Sequence, residues 1–399
     1  MTYGFFYVKL TTTEKRQELV VEMKISEFIS GKYEQQYQYK SFLPERINQA
    51  WYVDEPELVT LLDDANRLLG ELNAFSQLVP DVDFFIKMHI TKEATTSSRI
   101  EGTRTNMEEA LVDVQDVDPK RRDDWEEVQN YIKAVNFSIE RLKALPLSTR
   151  LLRETHQVLM QGVRGEHKLP GEFRKSQNWL GPSLKNAVFV PPHHDHLADL
   201  MTDLENFIHN DEIHVPHLIR LGILHYQFET IHPFLDGNGR LGRLLIALYL
   251  ANFNLLQKPA LYLSDYFERN RLDYYDHLTI ARTENDMSAW LRFFLVGVHD
   301  TAERSIGVFK AILKLNERIE REIMPQFHAR RQANAQALMS LLYQRPVVNI
   351  KGVKDLLTVQ INTASSLIGD FEKYGILEEM TGFKRNRTFV FSEYVRLFR

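Results

Sequence analysis

Residues 232–243 read HPFLDGNGRLGR. Ahead of this string, the segment 216–231 places Leu221, Leu224, Phe228 and Ile231 at helical spacing, with Pro216 where a first-turn proline is tolerated. Behind it, LLIALYLANFNLL reads as a second, buried helix. The string is therefore the joint of a helix–loop–helix. Gly237 and Gly239 lack Cβ atoms, so the joint can adopt positive φ and approach an anion closely. The helix that follows offers unpaired N–H groups and the positive end of its dipole to that anion.

The charged residues of the joint fit the same chemistry. Arg240 and Arg243 stand three positions apart, share a helix face and can reach one triphosphate. Asp236 at the loop apex suits Mg²⁺, which favours one or two carboxylates together with phosphate oxygens. Phe234 is apolar between polar neighbours and anchors the loop in the core. His232, with an unperturbed pKa near ~6.5, can take a proton from an attacking hydroxyl at neutral pH. Together these parts specify attack of a nucleophile on a nucleotide phosphate, driven by positioning and charge neutralisation. GNGRLG is also a GxGxxG string, but a dinucleotide fold needs a strand before it and an acid about twenty residues later. The preceding segment is helical in pattern, and Asp265 comes too late. No Walker A string occurs.

The string matches HxFx(D/E)GNGRxxR letter for letter, and in this the chain resembles the Fic family of protein adenylyltransferases. The resemblance implies transfer of AMP from ATP to a Ser, Thr or Tyr hydroxyl of a target protein, with pyrophosphate leaving. It makes His232 the base and Asp236 the metal ligand. Asn238 and the amides of Gly237 and Gly239 would hold the inner phosphates, and Arg240 and Arg243 the outer ones. Residues 97–102 read SSRIEG and fit the family's inhibitory motif (S/T)xxxE(G/N). Ser97 and Glu101 would share a helix face, and Glu101 would pair with Arg243 where the γ-phosphate belongs. That motif precedes the signature, so the chain resembles the class with an N-terminal inhibitory helix. In some relatives the same glutamate serves AMP removal.

Three further segments take their meaning from the resemblance. The hairpin-like stretch 178–192, with Asn186, Ala187, Val188, Phe189 and Val190 in its second arm, lies where relatives carry a flap that clamps the target by strand addition. Tyr274 and Tyr275 resemble paired tyrosines near the adenine; adjacent helical residues point about 100° apart, so one of them touches the base. Relatives often carry Asn further along for the adenine edge, and here that place is Arg282, a departure from the family pattern at that contact. His193, His194 and His196 around Asp195 invite a metal reading, but a solvated helix start is the better fit.

Composition sets the frame. The 399 residues are 44 % hydrophobic and 26 % charged, with a net charge of −5 and no cysteine. That is enough chain for two or three domains, without disulfides, thiolate metal sites or a global attraction to nucleic acid or membrane. No signal peptide or membrane span is apparent, so the expected location is the cytoplasm. The fold expected is mainly α: a Fic-type helical core with a small β-hairpin flap and a C-terminal winged helix. Residues 1–80 form an N-terminal lobe with possible strands at 3–10 and 17–24. The core is 81–300, a linker helix 301–329 and the winged helix 330–399. Helices are expected at 58–72, 82–100, 105–116 (capped by Thr105 and Glu108), 124–144, 148–162, 195–209, 216–231, 240–252, 267–282, 286–297 and 301–324. In 330–399 Lys and Arg outnumber Asp and Glu eleven to six. DNA binding is the alternative function there, with 362–374 as recognition helix and Lys384, Arg385 and Arg387 on the wing. A homodimer follows from family habit.

Overall fold

A computed structural model describes residues 22–78, 82–162, 166–382 and 387–398. The strand expected at 3–10 lies outside them. The first described lobe holds four short strands, β1 (Met23–Lys24), β2 (Gly31–Gln35), β3 (Lys40–Pro44) and β4 (Trp51–Tyr52). β1 pairs in parallel with β4, and β2 makes an antiparallel hairpin with β3 that sets Tyr33 opposite Phe42. This tyrosine-rich hairpin stands where the sequence suggests only irregular structure.

Helices make up the rest of the body. In order they are α1 (Pro56–Leu78), α2 (Val82–Ile100), α3 (Met107–Ala110), α4 (Arg122–Arg141), α5 (Thr149–Leu159), α6 (Leu197–His209), α7 (His217–Ile231), α8 (Asn238–Asn252), α9 (Ser264–Arg269), α10 (Arg271–Thr283) and α11 (Met287–Arg318). α7 is buried at every residue after His217, and α8 nearly so. A helix buried all round must be enclosed by others, and these two form the centre of the core. α1 buries Leu58, Ala65, Leu68, Leu69 and Leu72 and lies along α11.

Three expectations change at this level. The cap near residue 105 is set one place later: the Asn106 side chain accepts from Glu109 N–H, and Glu109 reaches back to Asn106 N–H. The resulting helix is a single turn. The helix expected over 267–282 breaks at Asn270, whose ψ of 40° leaves the helical range. Conversely, 286–297 and 301–324 fuse into α11, which runs on through a π turn at Ile319–Ile323 before Pro325. Gly297 lies inside it at a close approach, where a Cβ would meet the Tyr266 ring at 2.7 Å.

The C-terminal unit is α12 (Ala329–Gln344), β5 (Val347–Asn349), α13 (Ile350–Leu357), α14 (Ile361–Lys373), β6 (Glu378–Glu379), β7 (Thr388–Val390) and α15 (Ser392–Arg396). Its antiparallel sheet has the order β5-β7-β6. β5 and α15 add to the elements read from sequence. The unit packs on α2 through Phe85 against Tyr343 and Tyr394, and Phe398 against His89. Arg387 is paired with Glu372 and Glu379, while Lys384 and Arg385 lie outside the described residues. Among the described residues no helix is long and apolar enough to cross a membrane.

Candidate active site

The α7–α8 joint is built as its glycines require. His232 ends α7 in the left-handed region at φ 51°, an unusual conformation for a residue with a side chain. Three polar contacts hold it there. Arg174 Nε and Asn178 Nδ2 both donate to the His232 carbonyl, at 3.0 and 3.3 Å. The third joins the ring itself to α7: Nδ1 donates to Glu229 O at 3.3 Å, which leaves Nε2 without a proton on a neutral imidazole. Burial, chiefly, pushes the His232 pKa down to about 4, so the ring is neutral near pH 7.

Asn238 closes the loop. Its side chain accepts from Phe234 N–H and donates to Phe234 O, both at 2.8 Å. Gly237 stands at φ 74°, and a Cβ there would lie 2.6 Å from Met160 Sδ. Asp236 is exposed, with Oδ1 accepting from Gly237 N–H. The loop rests on His156 of α5, which stacks on Phe234 at 3.8 Å. Gly171 N–H donates to His156 Nδ1, so Nε2 carries the proton given to Asp236 O at 2.9 Å.

Beyond the loop Arg243 meets the end of α2 and the residue that follows it. Arg243 is buried and donates through Nε to Ser97 Oγ, and through Nη2 to Ser97 O and to Glu101 Oε1, at 2.9, 2.9 and 2.6 Å. Burial works against ionisation of Glu101, but Arg243, then Arg240 and His232, outweigh it and lower its pKa. A Cβ on Gly239 would stand 2.4 Å from Glu101 Oε1. A carboxylate oxygen thus fills the glycine-lined cradle at the start of α8. Arg240 reaches Glu127 at 3.3 Å.

Not every expected residue faces this cradle. Tyr274 is a core residue, stacked on Phe267, and its hydroxyl is taken up by His225 Nε2 at 3.0 Å. Tyr275 is the partly exposed member of the pair. The stretch expected to form a flap is slighter than a hairpin: one antiparallel bridge, Leu180 to Phe189, spans a turn at Leu184–Asn186. Val188 is exposed, but Val190 O already accepts from Phe42 N–H of β3. His193, His194 and Asp195 do converge, their ligand atoms lying within 4.8 Å on the exposed turn before α6.

Several residues here escape a reading of the sequence. Arg174 is buried and, besides His232 O, donates to Ser176 O, Pro192 O and Ile231 O, tying the flap to the joint. Asn178 also donates to Phe234 O. Glu229 is buried with Oε1 unpartnered, and burial raises its pKa to about 7. It explains Gly242, where a Cβ would lie 2.2 Å from that oxygen. Within the Gly- and Pro-rich stretch, Arg174 and Asn178 resemble ordinary surface residues; only their tertiary contacts distinguish them.

Comparison with known proteins points to one family. Residues 59–140 match the Fic/DOC family N-terminal domain, and residues 146–250 the Fic/DOC family domain. The protein adenylyltransferase Fic of Drosophila grimshawi is 27 % identical over 64 % of this chain and 50 % of its own length. That of Aedes aegypti is 31 % identical over 35 % of this chain and 25 % of its own. The chain therefore spans half or less of the length of these curated relatives. The crystal structure of a Fic family protein from Desulfovibrio desulfuricans G20 superposes with a TM-score of 0.55 at 21 % identity. It covers 86 % of this chain and 98 % of the other, a likeness of fold.

Proposed function

The chain belongs to the Fic/DOC family, and on that premise we propose that it is a nucleotidyltransferase that moves AMP from ATP to a Ser, Thr or Tyr hydroxyl of a protein. The observation that carries the proposal is the carboxylate oxygen of Glu101 over Gly239 and against Arg243. A cradle that already holds one anionic oxygen between a helix start and a guanidinium has the charge and shape for a phosphate.

In the reaction the target hydroxyl oxygen bonds to the α-phosphorus as the bond to pyrophosphate breaks. His232 takes the hydroxyl proton at Nε2, the nitrogen left bare by the contact of Nδ1 with Glu229 O. Arg174 and Asn178 fix the base by gripping its backbone. Gly237, Asn238 and Gly239 bind the inner phosphates, and Arg240 and Arg243 the outer ones. Mg²⁺, held at Asp236 with phosphate oxygens, would neutralise charge on the nucleotide; the exposed carboxylate of Asp236 at the loop apex fits that part. Tyr275 borders the nucleoside end.

Glu101 acts as a brake, because it and the triphosphate compete for Arg243. The flap presents the target through Val188, since Val190 O is bonded to β3. A DNA-binding regulator draws less support: Arg387 is paired with two glutamates and Arg331 with Asp370, which leaves them poor phosphate contacts. Intact-mass spectrometry of Glu101→Gly incubated with ATP and Mg²⁺ tests the function. Addition of one AMP per modified hydroxyl supports it, and an unmodified chain with unmodified candidate targets refutes it.

A further inference from the structure

Arg282, in the last turn of α10, is buried at 7 % exposure, and its Nη1 has no hydrogen-bond partner. Nε donates to Leu278 O of its own helix at 2.7 Å. The guanidinium carbon lies over the Phe189 ring, 4.0 Å from its centroid. Among the described residues no carboxylate comes within ion-pair distance of it, although Glu229 is electrostatically close. The same charge acts on His232. A cation is thus buried against Phe189, with both Nη1 hydrogens unused. Leaving a buried donor unmet is costly, so an arginine at this place calls for a ligand that meets it.

We infer that Arg282 is a target-binding subsite for an anionic oxygen, and that this oxygen is the carboxylate of an Asp or Glu beside the acceptor hydroxyl. The inference rests on the proposed transfer of AMP to a protein. Two observations favour the target over the nucleotide as the source. The phosphates have their own cations in Arg240 and Arg243 at the start of α8. Arg282 instead stacks on Phe189, a residue of the flap arm that would lie along the target.

The test is binding, which does not require turnover. Fluorescence anisotropy is measured on the Glu101→Gly/His232→Ala full chain with three peptides identical except for Asp, Asn or Lys next to the acceptor serine. The Asp peptide is expected to bind roughly tenfold tighter than the Asn peptide, the scale of a charge-assisted hydrogen bond, and the Lys peptide weakest. Adding Arg282→Gln should bring the Asp and Asn peptides level. If that chain does not fold, Arg282→Lys replaces it and should keep Asp ahead of Lys by a smaller margin. Equal binding of the three peptides overturns the inference. So does a ranking that survives Arg282→Gln, or an Arg282→Gln effect confined to ATP affinity, which would assign the oxygen to the α-phosphate. Peptides that rank as expected but never receive AMP from Glu101→Gly would count against the transferase reading and leave the subsite standing.

Discussion

Replacing Glu101 with glycine removes one side of the Arg243 cage and leaves the other intact. Ser97 Oγ and Ser97 O still hold the guanidinium, so Arg243 stays in place for a phosphate. What is lost is a 2.6 Å contact between opposite charges. A hydrogen bond to a charged group is worth about 1.5–3 kcal/mol. The Glu101 side chain is 36 % exposed, and solvent screening trims this to about 1–2 kcal/mol. ATP no longer has to displace that contact, so its affinity should rise about 5- to 30-fold. Isothermal titration of ATP with Mg²⁺ into His232→Ala and Glu101→Gly/His232→Ala measures this without turnover. Glu101→Gln should fall between the two, because the amide keeps its bulk and loses its charge. Equal dissociation constants in two chains of equal thermal stability would refute competition for Arg243.

The remaining expectations follow from the same geometry. Gly239→Ala should expel Glu101 yet give no gain in ATP affinity, since the new Cβ, 2.4 Å from the carboxylate oxygen, fills the phosphate cradle too; titration of the same chains checks it. Burial holds the His232 pKa at about 4, so the acid limb of kcat/KM for Glu101→Gly should lie well below pH 6.5; a limb at 6.5 would contradict the buried base. Four imidazoles are held neutral by burial, His89 and His225 at about 3 and His156 and His232 at about 4. Between pH 6.5 and 4 the unfolded chain binds more protons, and these groups lower Tm as pH falls through that window. Glu229 has the opposite sign: with its pKa raised to about 7, its ionisation costs stability as pH rises from about 4.5 to 7. Glu229→Gln should therefore stabilise the chain by up to about 3 kcal/mol at pH 8 and hardly at all at pH 5, read by urea unfolding.

Legibility from sequence follows the range of the interactions. The joint at 232–243 is local: two helices, two glycines and two arginines declare themselves within one turn of each other. Ser97 and Glu101 sit far from Arg243 in the chain, and their pairing is foreseeable only through a motif. Glu229 reads as one of several polar residues in α7; its burial becomes visible once Gly242 is seen to make room for it. Arg174 and Asn178 gain their roles from backbone carbonyls, which no side-chain pattern records. Tyr274 resembles a ligand contact in sequence, but His225 and Phe267 enclose it. Strands β2 and β3 fail to announce themselves because hairpin and flap stabilise each other through Phe42 and Val190, which lie far apart in the chain.

The central claim is that His232 and the amide cradle pass AMP, and nothing else of the nucleotide, to a hydroxyl. Parallel incubations of Glu101→Gly with ATP labelled at the α- or the γ-phosphate test it most directly, with Glu101→Gly/His232→Ala alongside. We predict protein-bound label from the α position alone, abolished by the second substitution. Label from the γ position, or α-label that persists without the imidazole, would contradict it.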